Sequence, residues 1–139
     1  MSSLDLLSIG RVSVDLYAEQ PGVTMSDVTT FRKSIGGTAT NVAVATARYG
    51  HAVALATRVG DDQFGRYVAD TLRNTFNVDP RFVATHPTLK TPLAFAELDP
   101  PEDPTIIFYR EPAAPDMEIE TTPQLSLIHI SEPTRPAII

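Results

Sequence analysis

The sequence predicts an α/β fold in which strands and helices alternate, with a β-hairpin after the second helix. Residues 4–9 and 51–59 are apolar enough to form buried strands, and a run of small helix-forming residues, 38–49, lies between them. A second helical segment follows, and this order is typical of a doubly wound sheet. Residues 91–98 and 105–110 then alternate between apolar and polar positions, which predicts two paired strands.

The first strand and its continuation bring two polar side chains together. Residues 4–9 end at Gly10, and residues 12–17 are predicted to continue in an extended conformation. Because side chains alternate along a strand, Ser13 and Asp15 are expected on the same face. Asp15 then lies where α/β sheets usually place ligand sites, and its carboxylate can accept hydrogen bonds from two neighbouring hydroxyl groups. The alternative is an exposed carboxylate in a turn.

A pair of glycines precedes the first helix. Residues 28–35 are predicted to be extended and to lead to Gly36 and Gly37, and Gly50 is expected to end the helix that follows. Glycine lets the backbone approach a bound molecule closely, and the helix directs its free N–H groups toward the same place. Asn41 adds a side-chain amide in the first turn. This arrangement suits a small polyhydroxylated or anionic ligand; otherwise the glycines form only a tight turn.

The second strand–helix unit has a recognisable start. The strand at residues 51–59 carries larger residues on one face and small alanines on the other, which fits a strand covered on both sides. Asp61 or Asp62 is expected to cap the next helix rather than to act as an acid or base. The apolar residues at helical spacing in that helix are Phe64, Val68 and Leu72.

The hairpin ends in an arginine that is suited to an anionic ligand. A polar, proline-rich connection at residues 99–104 joins its two strands. Arg110 ends the second strand on the same face as Phe108, and a guanidinium can bind a carboxylate through two hydrogen bonds. The alternatives are a surface arginine or an ion pair with Glu97 or Glu111.

Composition excludes several functional classes. The chain has 139 residues, enough for one domain, with 42% hydrophobic residues and a net charge of −6. An acidic chain without a basic stripe is a poor candidate for binding nucleic acid. It has no cysteine, its three histidines are scattered, and no apolar run is long enough to span a membrane. No signal peptide is visible, so we expect a cytoplasmic protein without a metal site of its own.

Three sequence blocks together carry a family resemblance. They are residues 9–15, residues 35–43 with the later Gly50, and residues 59–65. In this order and spacing they resemble the N-terminal signature of the ribokinase-like (PfkB) family of carbohydrate kinases, from about residue 6 to residue 110. The resemblance implies a doubly wound sheet with a small β-lid, formed by strands at about 12–35 and 91–110, over the sugar. The hairpin strands could instead lie at the edge of the main sheet.

The resemblance also implies a set of substrate-binding residues. These are Ser13, Asp15, Gly36, Gly37, Asn41 and Arg110. The family often has asparagine where this chain has Ser13, which is shorter and has less reach. The ribokinase branch has lysine where this chain has Thr38, which argues weakly against plain ribose. In members that act on acid sugars, an arginine at the place of Arg110 meets the carboxylate of the substrate.

The cofactors implied by the resemblance are ATP and Mg²⁺, with sites mostly in a C-terminal half of the family fold. That half supplies a Gly-Ala-Gly-Asp motif, whose aspartate is the base. The sequence contains neither this motif nor a P-loop, so no catalytic residue is assigned. Residues 1–124 are therefore expected to be the N-terminal part of a ribokinase-like domain, truncated before the nucleotide-binding half, and inactive alone.

The last residues do not follow the family pattern. Residues 125–136 resemble the in-frame translation of a transposon-end adapter used to build sequencing libraries. We therefore interpret residues 125–139 as a non-native tail; the alternative is a genuine short C-terminus.

Within the family, residues 36–41, 90–98, 101–102 and 107–110 most resemble a branch that phosphorylates an acid sugar. A small sugar acid is thus the expected partner, and some family members also dimerise through the lid. Branches that act on neutral sugars and a non-catalytic sugar-binding fragment stay open as alternatives. A dinucleotide-dependent dehydrogenase is disfavoured, because no Gly-x-Gly-x-x-Gly follows the first strand.

Overall fold

A computed structural model describes residues 3–119 of the chain, so the predicted tail lies outside the described residues. The elements are β1 (Leu6–Ile9), β2 (Ser13–Ala18), β3 (Phe31–Gly36), α1 (Thr38–Arg48), β4 (Val53–Gly60), α2 (Gln63–Asn74), β5 (Val83–His86), β6 (Leu93–Glu97) and β7 (Thr105–Tyr109). Short 3₁₀ turns occupy Met25–Asp27 and Pro115–Met117. None of the helices in this part of the chain has the length and apolar character needed to cross a membrane.

The first sheet is parallel and has the strand order β1-β4-β5. Each crossover between neighbouring strands contains one helix, and both crossovers run in the same direction across the sheet. Right-handed crossovers of this kind place their helices on one face. Accordingly, the buried residues of α1 and α2 share one hydrophobic cluster with Leu55 and Val59, whereas Ile9 and Ala56 lie in a second cluster. The predicted α/β class is confirmed.

The second sheet has four strands in the order β3-β2-β6-β7. The pairs β2–β3 and β6–β7 are antiparallel, and β2 and β6 join them in parallel. The predicted hairpin is therefore present, and its strands belong to this separate sheet and not to the edge of the parallel sheet. We refer to the four strands β2, β3, β6 and β7 as the lid sheet.

The start of α2 connects the two sheets. Asp62, and not Asp61, caps the helix by accepting a hydrogen bond from the Gly65 amide at 2.8 Å. The same carboxylate accepts two further hydrogen bonds from Thr91, one from its hydroxyl at 2.7 Å and one from its amide at 3.0 Å. The Thr91 hydroxyl accepts in turn from the amide of Gly60 at the end of β4. The entry to β6 is thus fixed to the parallel sheet.

Replacing Asp62 by alanine is expected to lower the free energy of unfolding by about 1–3 kcal/mol, because a helix cap and two bonds to buried Thr91 are lost. Asp61→Ala is the matched control: among the described residues its partner is Arg66 at 3.7 Å on the surface, and the expected change is below about 0.5 kcal/mol. Urea unfolding of both variants measures the difference. Equal effects would show that the Asp62 network contributes nothing.

The same carboxylate makes stability depend on pH at the acidic end. Burial acts to raise the pKa of Asp62, but the hydrogen bonds from Thr91 and Gly65 and the charge of Lys90 outweigh it, so the pKa lies below its ordinary value of 3.8. A lowered folded-state pKa contributes stability above the unfolded value and loses it as the pH falls through the folded value. The contribution is therefore present at neutral pH and disappears below about pH 3.8.

Candidate functional site

A cavity of about 400 Å³ lies between one face of the lid sheet and the start of α1. The cross-strand register places Asp15, Ala94 and Phe108 side by side on that face, since directly paired residues point to the same side. Small alanines on β6 leave the space open. The polar and charged side chains that line the cavity include those of Arg11, Ser13, Asp15, Asn41, Arg110 and Asp116.

Asp15 lies half-buried on β2 and faces the cavity. The hydroxyl of Ser13 donates to its Oδ1 atom at 2.6 Å, which leaves Oδ2 without a side-chain donor in the described part of the chain. Burial raises the pKa of Asp15, and the hydrogen bond from Ser13 offsets part of that rise. A desolvated carboxylate with a free acceptor oxygen gains strongly from ligand hydroxyl groups.

Ser13 also lines the cavity, but its hydroxyl is directed to Asp15. The structure therefore brings these two predicted residues together and gives Ser13 a supporting contact, orienting the carboxylate. Tyr17, two residues further on, borders the same cavity, and burial together with the Asp15 charge raises its pKa. Tyr17 is not among the substrate-binding residues predicted from the sequence.

The two glycines have different positions. Gly36 pairs with Ser13 and lies against the Asp15 carboxylate, so a side chain there would meet the carboxylate oxygens; it does not itself line the cavity. Gly37 lines the cavity at the N-terminus of α1 with φ of 106°, a conformation that other residues rarely adopt. A β-carbon at Gly37 would strike the backbone carbonyl of Arg11.

The first turn of α1 closes the cavity on the side opposite the lid. In the part of the chain that the structure describes, no side chain caps this helix end, so its first N–H groups are available to a ligand. Thr38 and Asn41 border the cavity, and Asn41 is exposed to solvent. The structure thus places the predicted Asn41 amide beside Gly37.

Arg110 follows β7 directly and lies partly buried at the cavity wall. Its guanidinium stacks over the Phe108 ring at 4.1 Å from the centroid. Neither alternative ion pair is present: within residues 3–119, Arg110 forms no ion pair with Glu97 or Glu111, and Glu97 accepts from the Met25 amide instead. No hydrogen bond or ion pair to the rest of the described chain occupies its guanidinium, which is thus available to an anion.

Two charged residues of the cavity were not predicted from the sequence. Arg11 lies between β1 and β2, and Asp116 lies in the 3₁₀ turn after the lid sheet. The Arg11 Nε atom is 3.4 Å from Asp116 Oδ1. Arg11 belongs to the first-strand block and could have been noticed beside Asp15, whereas nothing local marks Asp116.

Neither the described residues nor their geometry offers a metal centre. Within residues 3–119, no group of three or more His, Cys, Asp or Glu side chains is arranged to hold a metal ion.

The chain belongs to the PfkB family of carbohydrate kinases: the model of the pfkB family carbohydrate kinase matches residues 3–131. That match extends into the predicted non-native tail, whose origin stays a prediction. Among curated relatives, the 5-dehydro-2-deoxygluconokinase of Geobacillus thermodenitrificans (strain NG80-2) is 36% identical over 118 residues, covering 84% of this chain and 34% of the relative. The enzyme of that name from Bacillus thuringiensis (strain Al Hakam) is 36% identical over 120 residues, covering 86% and 36%. The chain spans about a third of the length of these relatives.

Solved structures agree on the fold. A sugar kinase from Pyrococcus horikoshii in complex with ATP has a TM-score of 0.70 and 33% identity, covering 78% of this chain and 35% of that one. The fructokinase of Halothermothrix orenii has a TM-score of 0.72 and 27% identity, covering 86% and 41%. The ribokinase-like fold predicted from the sequence is confirmed, again over part of each neighbour.

Proposed function

We propose that this chain is the sugar-binding segment of an ATP-dependent carbohydrate kinase that phosphorylates a hydroxyl group of a sugar acid. The observation that supports this best is the cavity in which Asp15 and Arg110 lie beside the N-terminus of α1. A carboxylate that lacks a donor on one oxygen suits sugar hydroxyls, and a guanidinium stacked on an aromatic ring suits a carboxylate.

The proposed substrate is 5-dehydro-2-deoxy-D-gluconate, converted to its 6-phosphate in inositol catabolism. The names of the curated relatives support this choice, as does an arginine without an ion-pair partner in the described residues. A 2-keto-3-deoxygluconate kinase is the next candidate. Fructokinase and ribokinase activities fit less well, because a neutral sugar offers Arg110 no anion.

The described residues have a limited part in this reaction. Asp15 and the first turn of α1 hold the sugar. Arg110 binds the carboxylate of the sugar acid and so sets the orientation of the substrate, and the lid sheet excludes water from one side. ATP supplies the phosphoryl group with Mg²⁺ bound to it. We propose that the nucleotide site, the metal ligands and the catalytic base belong to a longer cytoplasmic protein, and that the 139-residue chain alone is inactive.

A non-catalytic sugar-binding fragment is the alternative class, and the same cavity supports it.

Assembly is a further proposal: β7 is an edge strand whose apolar residues are exposed, including Phe108 at 52% and Tyr109 at 61%. Pairing of two lid sheets would cover them, so we propose a homodimer through the lid.

The test is phosphoryl transfer by the longer protein recovered from the source gene, compared with the 139-residue chain. For the longer protein, Arg110→Gln is expected to lower kcat/KM about a hundredfold for the sugar acid and less than about threefold for fructose, because a charged hydrogen-bond pair is lost only with the acid. Arg48→Gln is the matched control, since Arg48 also lies over a phenylalanine ring, that of Phe76, away from this cavity.

The outcomes separate the candidates. Activity on fructose that exceeds activity on every sugar acid would contradict the proposed substrate. Kinase activity of the purified 139-residue chain above background would contradict the proposed division of the site. Binding of the sugar without phosphorylation by the longer protein would favour the non-catalytic alternative.

A further inference from the structure

We infer that Arg11 is a second substrate-binding cation of this cavity, specific for the anionic end of the sugar, and that Asp116 is its positioning residue. The inference rests on the proposed function and names a specificity residue that the family blocks do not assign. Its basis is the juxtaposition of a cavity-lining guanidinium and a fully buried carboxylate.

Asp116 has the features of a positioning residue. Its side chain is 0% exposed, although it comes from a turn near the end of the described residues. Oδ2 accepts a hydrogen bond from the Val12 amide at 3.0 Å, whereas Oδ1 has no hydrogen-bond partner within residues 3–119 and lies 3.4 Å from Arg11 Nε. A buried carboxylate that is only partly satisfied favours a nearby cation strongly. Asp116 therefore holds the Nε side of Arg11.

The backbone of Arg11 is fixed from two directions. The peptide group between Arg11 and Val12 donates its N–H to Asp116 and accepts, through its carbonyl, the hydroxyl of Thr40 at 3.1 Å. Gly37 also packs on this carbonyl. This peptide group is thus held between α1 and the turn after the lid sheet. Because the backbone of Arg11 is fixed, only its side chain has to become ordered when a ligand binds.

The outer part of the guanidinium is free to meet a ligand. The Arg11 side chain is 43% exposed, and among the described residues its terminal nitrogens have no hydrogen-bond partner. An arginine has five N–H donors, and the ion pair with Asp116 involves only the Nε side of the guanidinium, without a hydrogen bond. The remaining donors form the planar edge that binds a carboxylate through two hydrogen bonds. Asp15 also lines the cavity and would repel a carboxylate, so the acid end is expected to bind toward the arginines and the hydroxyls toward Asp15.

The experiment compares two ligands that differ only at one end. D-Gluconate carries a carboxylate where D-glucitol carries a neutral alcohol, and both are titrated calorimetrically into the full 139-residue chain. Arg11→Gln keeps an amide donor for Asp116 but removes the charge, and Asp116→Asn keeps an acceptor for the Val12 amide. Arg66→Gln removes the same charge from an exposed site outside the cavity.

We expect Arg11→Gln to weaken D-gluconate binding about tenfold, the loss of one charge-assisted pair, while D-glucitol binding changes less than about twofold. Asp116→Asn is expected to give a smaller loss with the same preference, and Arg66→Gln no loss. If Arg11→Gln lost affinity equally for both ligands, Arg11 would have only a structural role and the inference would be overturned. An unchanged D-gluconate affinity would also overturn it.

A second variant separates this inference from the proposed function. If Arg110→Gln abolishes the preference for D-gluconate while Arg11→Gln leaves it intact, the inference fails and the proposed sugar-acid site stands. If the wild-type chain binds neither ligand, or binds D-glucitol as well as D-gluconate, both fail.

Discussion

Asp15→Ala is expected to weaken sugar binding at least about a hundredfold, the largest effect of any single side chain in the cavity. Each hydrogen bond to a charged group contributes roughly 1.5–3 kcal/mol, and a carboxylate that holds two hydroxyls loses both. Asp15 is half-buried and its Oδ2 has no side-chain donor in the described part of the chain, so a ligand replaces little existing bonding. Calorimetric titration of wild type and variant with the sugar acid measures the loss.

The pH dependence of binding identifies the same group. Burial raises the pKa of Asp15, with the Ser13 hydrogen bond acting in the opposite direction, so the charged acceptor is lost at a higher pH than for a free aspartate. Sugar affinity is therefore expected to fall as the pH decreases through that raised pKa. Ser13→Ala removes the lowering contribution and shifts the fall to higher pH.

The pH dependence of folding stability at Asp15 is opposite to that of sugar affinity. A raised folded-state pKa means that folding favours the protonated carboxyl, so stability declines as the pH rises through that pKa. Asp15→Asn is thus expected to stabilise the free protein at neutral pH while it weakens binding. A variant that loses stability and affinity together would mean that Asp15 has a structural role and no ligand role.

Gly37→Ala is expected to cost at least about 3 kcal/mol of folding stability and to abolish sugar binding. Two separate causes act: φ is 106°, which costs a residue with a β-carbon roughly 1–3 kcal/mol, and the added atom would strike the Arg11 carbonyl. That carbonyl belongs to the peptide group held by Thr40 and Asp116, so the added atom would also displace the backbone of Arg11 and Val12 at the cavity.

Gly50→Ala separates the two causes. Gly50 also has a positive φ, 88°, but a β-carbon there meets nothing within 4 Å. It should therefore lose only the conformational term, about 1–2 kcal/mol, and keep its sugar affinity. Chemical unfolding of both variants gives the comparison. Equal losses would show that close approach at Gly37 is unimportant.

The elements that could be predicted from the sequence are those set by local patterns. The small-residue run between Gly37 and Gly50 specified α1, and the paired alternations specified the hairpin of β6 and β7. The strand β5 was missed, because its four residues show no clear alternation. The local sequence limited the candidates for the cap of α2 to Asp61 and Asp62 but could not choose between them. The choice depends on a contact between distant positions, because Asp62 also accepts a hydrogen bond from Thr91.

The site was harder to predict, because its contacts join distant segments. Asp15, Gly37 and Asn41 were predicted from the family blocks and Arg110 from the end of the hairpin, and the structure places all four at one cavity. The contact between Asp116 and the Val12 amide spans 104 positions, and no sequence pattern near Asp116 predicts it. Likewise, only the strand register shows that Gly36 supports the Asp15 carboxylate instead of lining the cavity.

The most direct measurement is a backbone amide NMR titration of the 139-residue chain with 5-dehydro-2-deoxy-D-gluconate. The resonances expected to move are those of Ser13, Asp15, Gly37, Thr38, Asn41 and Arg110, all around the cavity. Amides on the far side of α2 should stay in place, and Asp15→Ala should remove the shifts. Saturating ligand that leaves the cavity resonances unchanged, or that moves resonances elsewhere, would contradict the sugar site on which the account depends.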